Sequence, residues 1–556
     1  MVAAMHSSLG RRDAVAVAML GLIGVGIPLG LASAAGAIGL PAMDDWVYTR
    51  GADSLFRTGT VEMPGHTASA IGQIMMVQPL LWLSGGNPWA FAAFGLLMTA
   101  IGVAATYLLA RRFVGCGAAV MVVLLVVAFP GFARESVTFM TDVPAYSLTV
   151  LCLLLGTSWL ESGRRLMLVA SLAMGLLAIS VREFAIAAPA ALLVVGWTRS
   201  NKGERAWLAG ASGAFGVALA GVLIAAASVA GRTTPNPYIL WSILLGPVFV
   251  TLAAVLLPAV VLGLRRRLDT LSSSQMIVGA GLACLAVLAR PWASNAGDSW
   301  MREGLGGDLL LHGSRGPVVA ASVWAISAQI ALYAAILVAG LALRWSRQNL
   351  SRVNSVATAK ELVRRISRGS DGLLVVFLAA NIAELLFFSP FIVYDRYLYP
   401  MVPVAAILLL RGSPQHSRIG IGHAFSHAAL AWLATFAVVI AANSLAYDAA
   451  RWRAGEELVA IGYDARTVDA GYEWVGYHAS LGGSLSAPAT DMTWNIDRWK
   501  LSDPCAVLSN SPLNQGNLTL IHVNRSAYQQ YLFFGPDEPL YFYGASSAGC
   551  PAPPGA

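Results

Sequence analysis

The chain has 556 residues, 57% of them hydrophobic and 12% charged, with a mean hydropathy of +0.66 and a formal net charge of +7. So little polar surface excludes an ordinary soluble protein of this length, and lipid must cover part of the exterior. The positive charge does not point to nucleic acid, because the basic residues fall in short clusters between apolar runs, which is how membrane topology is marked.

Arg11 and Arg12 precede an apolar run longer than the core of a secretory signal, so 14–38 reads as a retained first span and signal anchor. A helix needs about 20 apolar residues to cross a bilayer, and somewhat fewer when neighbours shield it. On that basis spans are expected at 14–38, 88–109, 114–130, 143–160, 166–181, 184–197, 206–229, 238–263, 275–290, 317–343, 372–390, 397–411 and 424–446. That makes about thirteen. The pair at 166–197 is unusual, with short halves separated by Arg182-Glu183. With the N-terminus in the cytoplasm, Arg11-Arg12, Arg111-Arg112, Arg164-Arg165, Arg265 to Arg267 and the basic 344–371 segment all fall inside, while the acidic residues lean outward. An odd number of spans leaves the C-terminus outside.

The expected architecture is therefore an α-helical polytopic membrane domain, 1–446, and a small extracytoplasmic α/β domain, 447–556. LTLIHVNRS and PLYFYGA in the latter have the β-branched and aromatic content of strands. Cys505 and Cys550 lie in this tail and can pair in an oxidising compartment. Cys116, Cys152 and Cys284 lie in or beside apolar runs and read as small hydrophobes.

Motifs of soluble enzymes are absent: there is no P-loop, HExxH, GxSxG, GxGxxG or CxxC. His423 and His427 are four residues apart at an expected cytoplasmic interface with no acidic partner nearby, and read as surface residues rather than metal ligands. The ionisable residues that call for a role lie instead at the outer ends of the spans. The first external loop, PAMDDWVYTRGADSLFRTG, carries Asp44 and Asp45 just past a span. Adjacent like charges repel, which can raise the pKa of one of them and make it a candidate general base; a solvated acidic turn is the plainer reading.

In FPGFARESVTFMTDVPAYSL, Asp142 precedes a span that opens on Val143-Pro144. It suits an N-cap, and a helix N-terminus also attracts anions. Arg182 at membrane depth is costly and is a functional hypothesis by default, with an Arg182–Glu183 pair as the structural alternative. In SPFIVYDRYLYPMVP, Asp395, Arg396 and Tyr397 directly precede a span. The Arg396 fork matches phosphate oxygens, while Tyr394, Tyr397 and Tyr399 also suit an interfacial aromatic belt. Glu384 lies inside the preceding span and is either a site residue or the partner of an arginine. Carboxylates and arginines gathered on one side of the membrane suit acid/base chemistry on a lipid-linked, phosphate-bearing substrate.

At these residues the chain resembles the GT-C glycosyltransferase superfamily. It is most similar to bacterial membrane proteins akin to protein O-mannosyltransferases and lipid A aminoarabinose transferases (glycosyltransferase family 39-like). The resemblance runs through Asp44-Asp45, then Trp46, Tyr48, Ala52, Ser54, Leu55, Thr58 and Gly59, then Phe139 to Pro144, Arg182-Glu183, and Asp395 to Pro400, and covers about residues 10–412. It implies a GT-C fold with a sugar on a polyprenyl phosphate as donor and a glycan, lipid or protein hydroxyl as acceptor. Asp44 would deprotonate the acceptor and the anomeric carbon would invert by direct displacement. Asp45 stands where relatives more often have Glu, which leaves open which of the two is the base.

The resemblance further implies that Arg182 and Arg396 hold the phosphate, with Glu183, Asp395 and Tyr397 around the donor and Asp142 orienting the acceptor or an arginine; Glu384 joins the substrate-binding candidates by its place inside a span. No cofactor is implied, although one branch of the superfamily holds a divalent metal on external carboxylates, for which Asp44, Asp45 and Asp142 would be the ligands. It also implies an amphipathic surface helix, which 66–84 fits, and a bacterial inner-membrane location. Two alternatives remain: a transporter or flippase of a lipid-linked substrate, which predicts midplane ionisable residues and internal repeats, and a non-catalytic membrane protein presenting its tail.

Overall fold

A computed structural model describes residues 10–63, 70–229, 241–264, 311–350, 364–388, 394–411, 421–478, 504–514, 517–546 and 549–551, with a few single residues besides. The helices, in chain order, are α1 (Arg11–Ala35), α2 (Asp45–Thr58), α3 (Ile71–Ser84), α4 (Trp89–Arg111), α5 (Cys116–Val127), α6 (Phe132–Glu135), α7 (Asp142–Ser162), α8 (Arg165–Val181), α9 (Ala187–Arg199), α10 (Lys202–Val229), α11 (Trp241–Leu264), α12 (Ala321–Leu350), α13 (Gly372–Phe388), α14 (Met401–Leu410), α15 (Ile421–Ala460) and α16 (Tyr472–His478).

Six of the described helices are long and apolar enough to cross a bilayer, and several shorter apolar helices pack among them. The protein is a helical, multi-pass membrane protein with a small sheet in its C-terminal part. Where they are described, the apolar runs of the sequence map onto helices; most of 275–290 lies outside the described residues. Their ends follow local chemistry. Gly36 stops α1 in the left-handed conformation (φ 70°), which a residue without a Cβ adopts at little cost. The short halves at 166–197 are α8 and α9, joined by a single 3-10 turn, Glu183–Ile186. A second 3-10 turn, Asp395–Leu398, leads into α14. Both turns place charged residues at helix junctions.

Helix α3 has only 14 residues, too few to span. It buries Ile74, Val77 and Leu81 and turns Met75, Trp82 and Leu83 outward. The last helix departs most from the sequence reading. The apolar run ends near Ala446, but α15 continues unbroken to Ala460. The polar segment after Ala446 is rich in Ala, Arg and Glu, which are good helix formers, so the helix outlasts its apolar run. The expected boundary at 446/447 thus falls inside a helix.

The C-terminal sheet has strands β1 (Val468–Asp469), β2 (Ala506–Ser509), β3 (Leu518–Gln529) and β4 (Asp537–Ala545), in the order β1-β2-β4-β3. β1 and β2 are parallel and the other pairs antiparallel, so β3–β4 is a long hairpin interrupted by irregularities. Cys505, just before β2, is disulfide-bonded to Cys550, just after β4. One apolar cluster joins Trp46, Val47 and Ala52 of α2 to Tyr447 and Trp452 of α15, Trp474 of α16, and Leu508 and Phe542 of the sheet. Burial of this aromatic-rich surface is what seats the sheet on the ends of the helical bundle.

Candidate active site

After α1 the chain turns at Gly39 (φ 78°), so close to Pro88 that a Cβ would come 3.1 Å from the Pro88 carbonyl carbon. It then reaches Met43, whose φ of 55° is unusual for a residue with a side chain. Asp44 occupies the N-cap position of α2, but its carboxylate makes no capping bond. It points across the helix ends instead. The Tyr472 hydroxyl donates to Asp44 Oδ1 at 2.8 Å, and Arg396 Nη2 lies 3.7 Å from Oδ2. Arg396 Nε is 3.5 Å from Asp142 Oδ2, and Arg182 Nη1 is 3.3 Å from the same oxygen. Arg182 also donates to the Thr141 hydroxyl. Asp44, Arg396, Asp142 and Arg182 therefore form one chain of alternating charge drawn from four separate segments.

Aromatic rings support the cations. Arg182 lies over the Tyr397 ring at 4.3 Å and Arg396 over the Tyr394 ring at 4.4 Å, a contact that stabilises a guanidinium removed from water. Tyr48 of α2 lies within electrostatic reach of all four members of the chain, and burial pushes its hydroxyl well above the ordinary tyrosine value. Asp142 and Arg396 are almost fully buried; Arg182 retains 10% exposure and Asp44 17%, so Asp44 is the most exposed of the four.

Asp45 faces elsewhere. Its Oδ1 accepts from the Ala42 N–H (2.5 Å) and its Oδ2 from the Phe139 N–H (3.1 Å). It ties the first loop to the segment before α7. Burial raises its pKa well above the usual carboxylate value, against the pull of those two N–H groups and of Arg134. Proton affinity alone would favour Asp45 as a base. Position sets the two apart: Asp45 is 2% exposed, with each oxygen bonded to a backbone N–H, whereas Asp44 is partly exposed. The three carboxylates considered as metal ligands do not converge: Asp45 is turned to backbone N–H groups, and Arg396 stands between Asp44 and Asp142.

Asp142 is not the cap of its helix. Thr141 holds that position, and Asp142 is the first helical residue, its carboxylate turned to the two arginines. The ion pair of Arg182 runs to Asp142, while Glu183 opens the following 3-10 turn, half-buried. Asp395 is buried at the start of the turn that delivers Arg396 and Tyr397. Glu384 accepts from Asn381 on its own helix (3.1 Å).

A second ionic cluster, which the sequence did not announce, lies beside the first. Arg134 of α6 donates twice to Asp448 Oδ2 (3.0 and 2.6 Å). Arg451 donates to Asp448 Oδ1 (2.7 Å) and to both Glu473 oxygens (2.7 and 3.1 Å). Glu473 Oε1 also accepts from the Met43 N–H at 2.9 Å. The charges just past the last apolar run, Asp448 and Arg451 at i,i+3, were a usable signal for a helix that carries on. Tyr472 and Glu473 gave none.

Residues 75–230 match the model of a family described as dolichyl-phosphate-mannose-protein mannosyltransferase. That segment, less than half of the chain, is what resembles a glycosyltransferase family. The match includes Asp142 and Arg182, whereas Asp44, Arg396 and the C-terminal domain lie outside it. Among solved structures, the chain is similar to ArnT from Cupriavidus metallidurans bound to undecaprenyl phosphate, at 13% identity and a TM-score of 0.39, covering 95% of this chain and 98% of that one. The apo form of ArnT gives 13% identity, a TM-score of 0.38, and coverage of 94% and 97%. Likeness at that level decides nothing about chemistry. No curated protein matches the chain.

Proposed function

We propose that this protein is a glycosyltransferase that moves a sugar from a polyprenyl-phosphate donor to an acceptor hydroxyl on the extracytoplasmic face of a bacterial inner membrane. The observation that carries the reading is the Asp44–Arg396–Asp142–Arg182 chain at the ends of the helical bundle. Asp44, the exposed end, takes the proton of the acceptor hydroxyl as its oxygen attacks the anomeric carbon. The bond from that carbon to the phosphate oxygen breaks, and the configuration inverts. The departing phosphate gains negative charge, and Arg396 and Arg182, already desolvated and stacked on tyrosines, stabilise it. Asp142 accepts from Arg182 and forms an ion pair with Arg396, which sets the spacing of the two guanidinium groups. The placement of Asp44 at one end of the chain and Arg182 at the other separates the proton-accepting step from the leaving group, as displacement requires.

The test is transfer of radiolabelled sugar from a panel of polyprenyl-phosphate sugars, with purified protein and a membrane extract as the source of acceptors. Label reaching extract components from one donor class supports the reading and names the sugar. Folded protein that transfers from no member of the panel contradicts it.

A further inference from the structure

The C-terminal domain meets the reactive loop through two consecutive residues on each side. Glu473 accepts from the Met43 N–H at 2.9 Å, and its neighbour Tyr472 donates its hydroxyl to Asp44 at 2.8 Å. Met43 holds the left-handed φ of 55°, which a residue with a side chain adopts only when its surroundings enforce it. Its N–H bond to Glu473 is one such restraint, and the turn so fixed sets the direction in which Asp44 leaves the backbone.

The grip is anchored at several points. Glu473 is fully buried and is held by Arg451, which Asp448 and through it Arg134 fix in turn. Trp452 Nε1–H donates to the Pro41 carbonyl (3.0 Å), and Arg50 Nη1 donates to the Gly476 carbonyl (3.0 Å). Gly476 lies against the Trp46 indole, where a Cβ would come within 2.4 Å of the ring. The Tyr472 ring meets the same indole edge-on, with centroids 5.9 Å apart.

Tyr472 donates to Asp44 Oδ1, and Arg396 approaches Oδ2 at 3.7 Å. Burial, and after it the Asp44 carboxylate, push the Tyr472 hydroxyl well above the ordinary tyrosine value. It therefore stays a donor and does not compete for the acceptor's proton. We infer that Tyr472, braced by Glu473, is a positioning residue for Asp44, and that the C-terminal domain forms a wall of the reactive site rather than a detached recognition module. The catalytic consequence rests on the proposed role of Asp44 as base.

Tyr472→Phe removes one oxygen and keeps the ring on Trp46. The band that disappears from the infrared difference spectrum in Asp44→Asn identifies the Asp44 carboxylate stretch, and that band is expected to move in Tyr472→Phe. With the labelled polyprenyl-phosphate sugar as donor, kcat is expected to fall by about tenfold or more, with the donor KM changed by less than about twofold and the thermal unfolding midpoint unchanged. An unmoved carboxylate band overturns the inference, as does an unchanged kcat. A raised kcat also overturns it, because Tyr472 would then obstruct the site. If Asp44→Asn itself still transfers sugar, the base assignment fails, while the infrared band still decides whether Tyr472 holds that carboxylate.

Discussion

The Arg134–Asp448–Arg451–Glu473 cluster and the Asp44–Arg396–Asp142–Arg182 cluster each hold two carboxylates and two guanidinium groups, and they differ in how tightly they are closed. In the first, every pair has a contact of 2.6–2.7 Å and the side chains are no more than 2% exposed. In the second, the pairs stand 3.3–3.7 Å apart and one end opens to solvent. Charge-assisted hydrogen bonds settle at about 2.7–2.9 Å. The first cluster has reached that limit, as a structural brace does. The second retains attraction between its members without closing, so its guanidinium groups keep the capacity to turn toward an anion. Under the proposed function, similar residue types serve as mortar in one place and as a reactive surface in the other, and the spacing tells them apart.

Breaking either cluster sharpens the contrast. Arg396→Ala removes the group that bridges the two carboxylates of the open cluster, and transfer is expected to fall by about 100- to 1000-fold with the protein still folded, read from rates with the labelled donor and an unfolding curve. Arg134→Ala in the closed cluster leaves Asp448 buried with one partner fewer. It is expected to cost about 3–5 kcal/mol of stability, seen as an earlier thermal transition and as proteolysis of the C-terminal domain. Asp45→Asn should behave like the closed cluster: one of the Ala42 and Phe139 N–H groups loses its acceptor, at a cost of about 1–3 kcal/mol. Loss of transfer there should follow the loss of folded protein. The exposed Arg57–Asp53 pair, at i,i+4 on α2, is the control. Arg57→Ala should change stability by about 0.5 kcal/mol or less and leave transfer unaltered.

Much of this was legible in the sequence because lipid imposes a simple rule. An apolar run long enough to span is a helix, and an ionisable residue beside it must earn its place. That rule exposes Asp44, Asp142, Arg182 and Arg396, and the structure brings all four together. It also selects Glu384, whose hydrogen bond among the described residues is to Asn381 on its own helix. Adjacent Asp44 and Asp45 look alike in sequence; only the backbone N–H groups of Ala42 and Phe139 separate them. The contribution of the C-terminal domain was not legible. Tyr472 and Glu473 sit in a segment of mixed polarity with no periodic signal, and the Met43–Glu473 bond closes over 430 residues. Hydropathy marks the end of an apolar run rather than the end of a helix, so it also hid the extension of α15 that carries Asp448 and Arg451.

The central claim is that Asp44 is the proton acceptor at the open end of this chain, and the direct test is the single-turnover rate of sugar transfer in Asp44→Asn. The variant keeps the size of the side chain and removes its capacity as a base. The rate is expected to fall by about 1000-fold or more in protein that unfolds at the wild-type temperature. A rate within about tenfold of wild type in such folded protein would contradict the account and remove Asp44 from the chemistry.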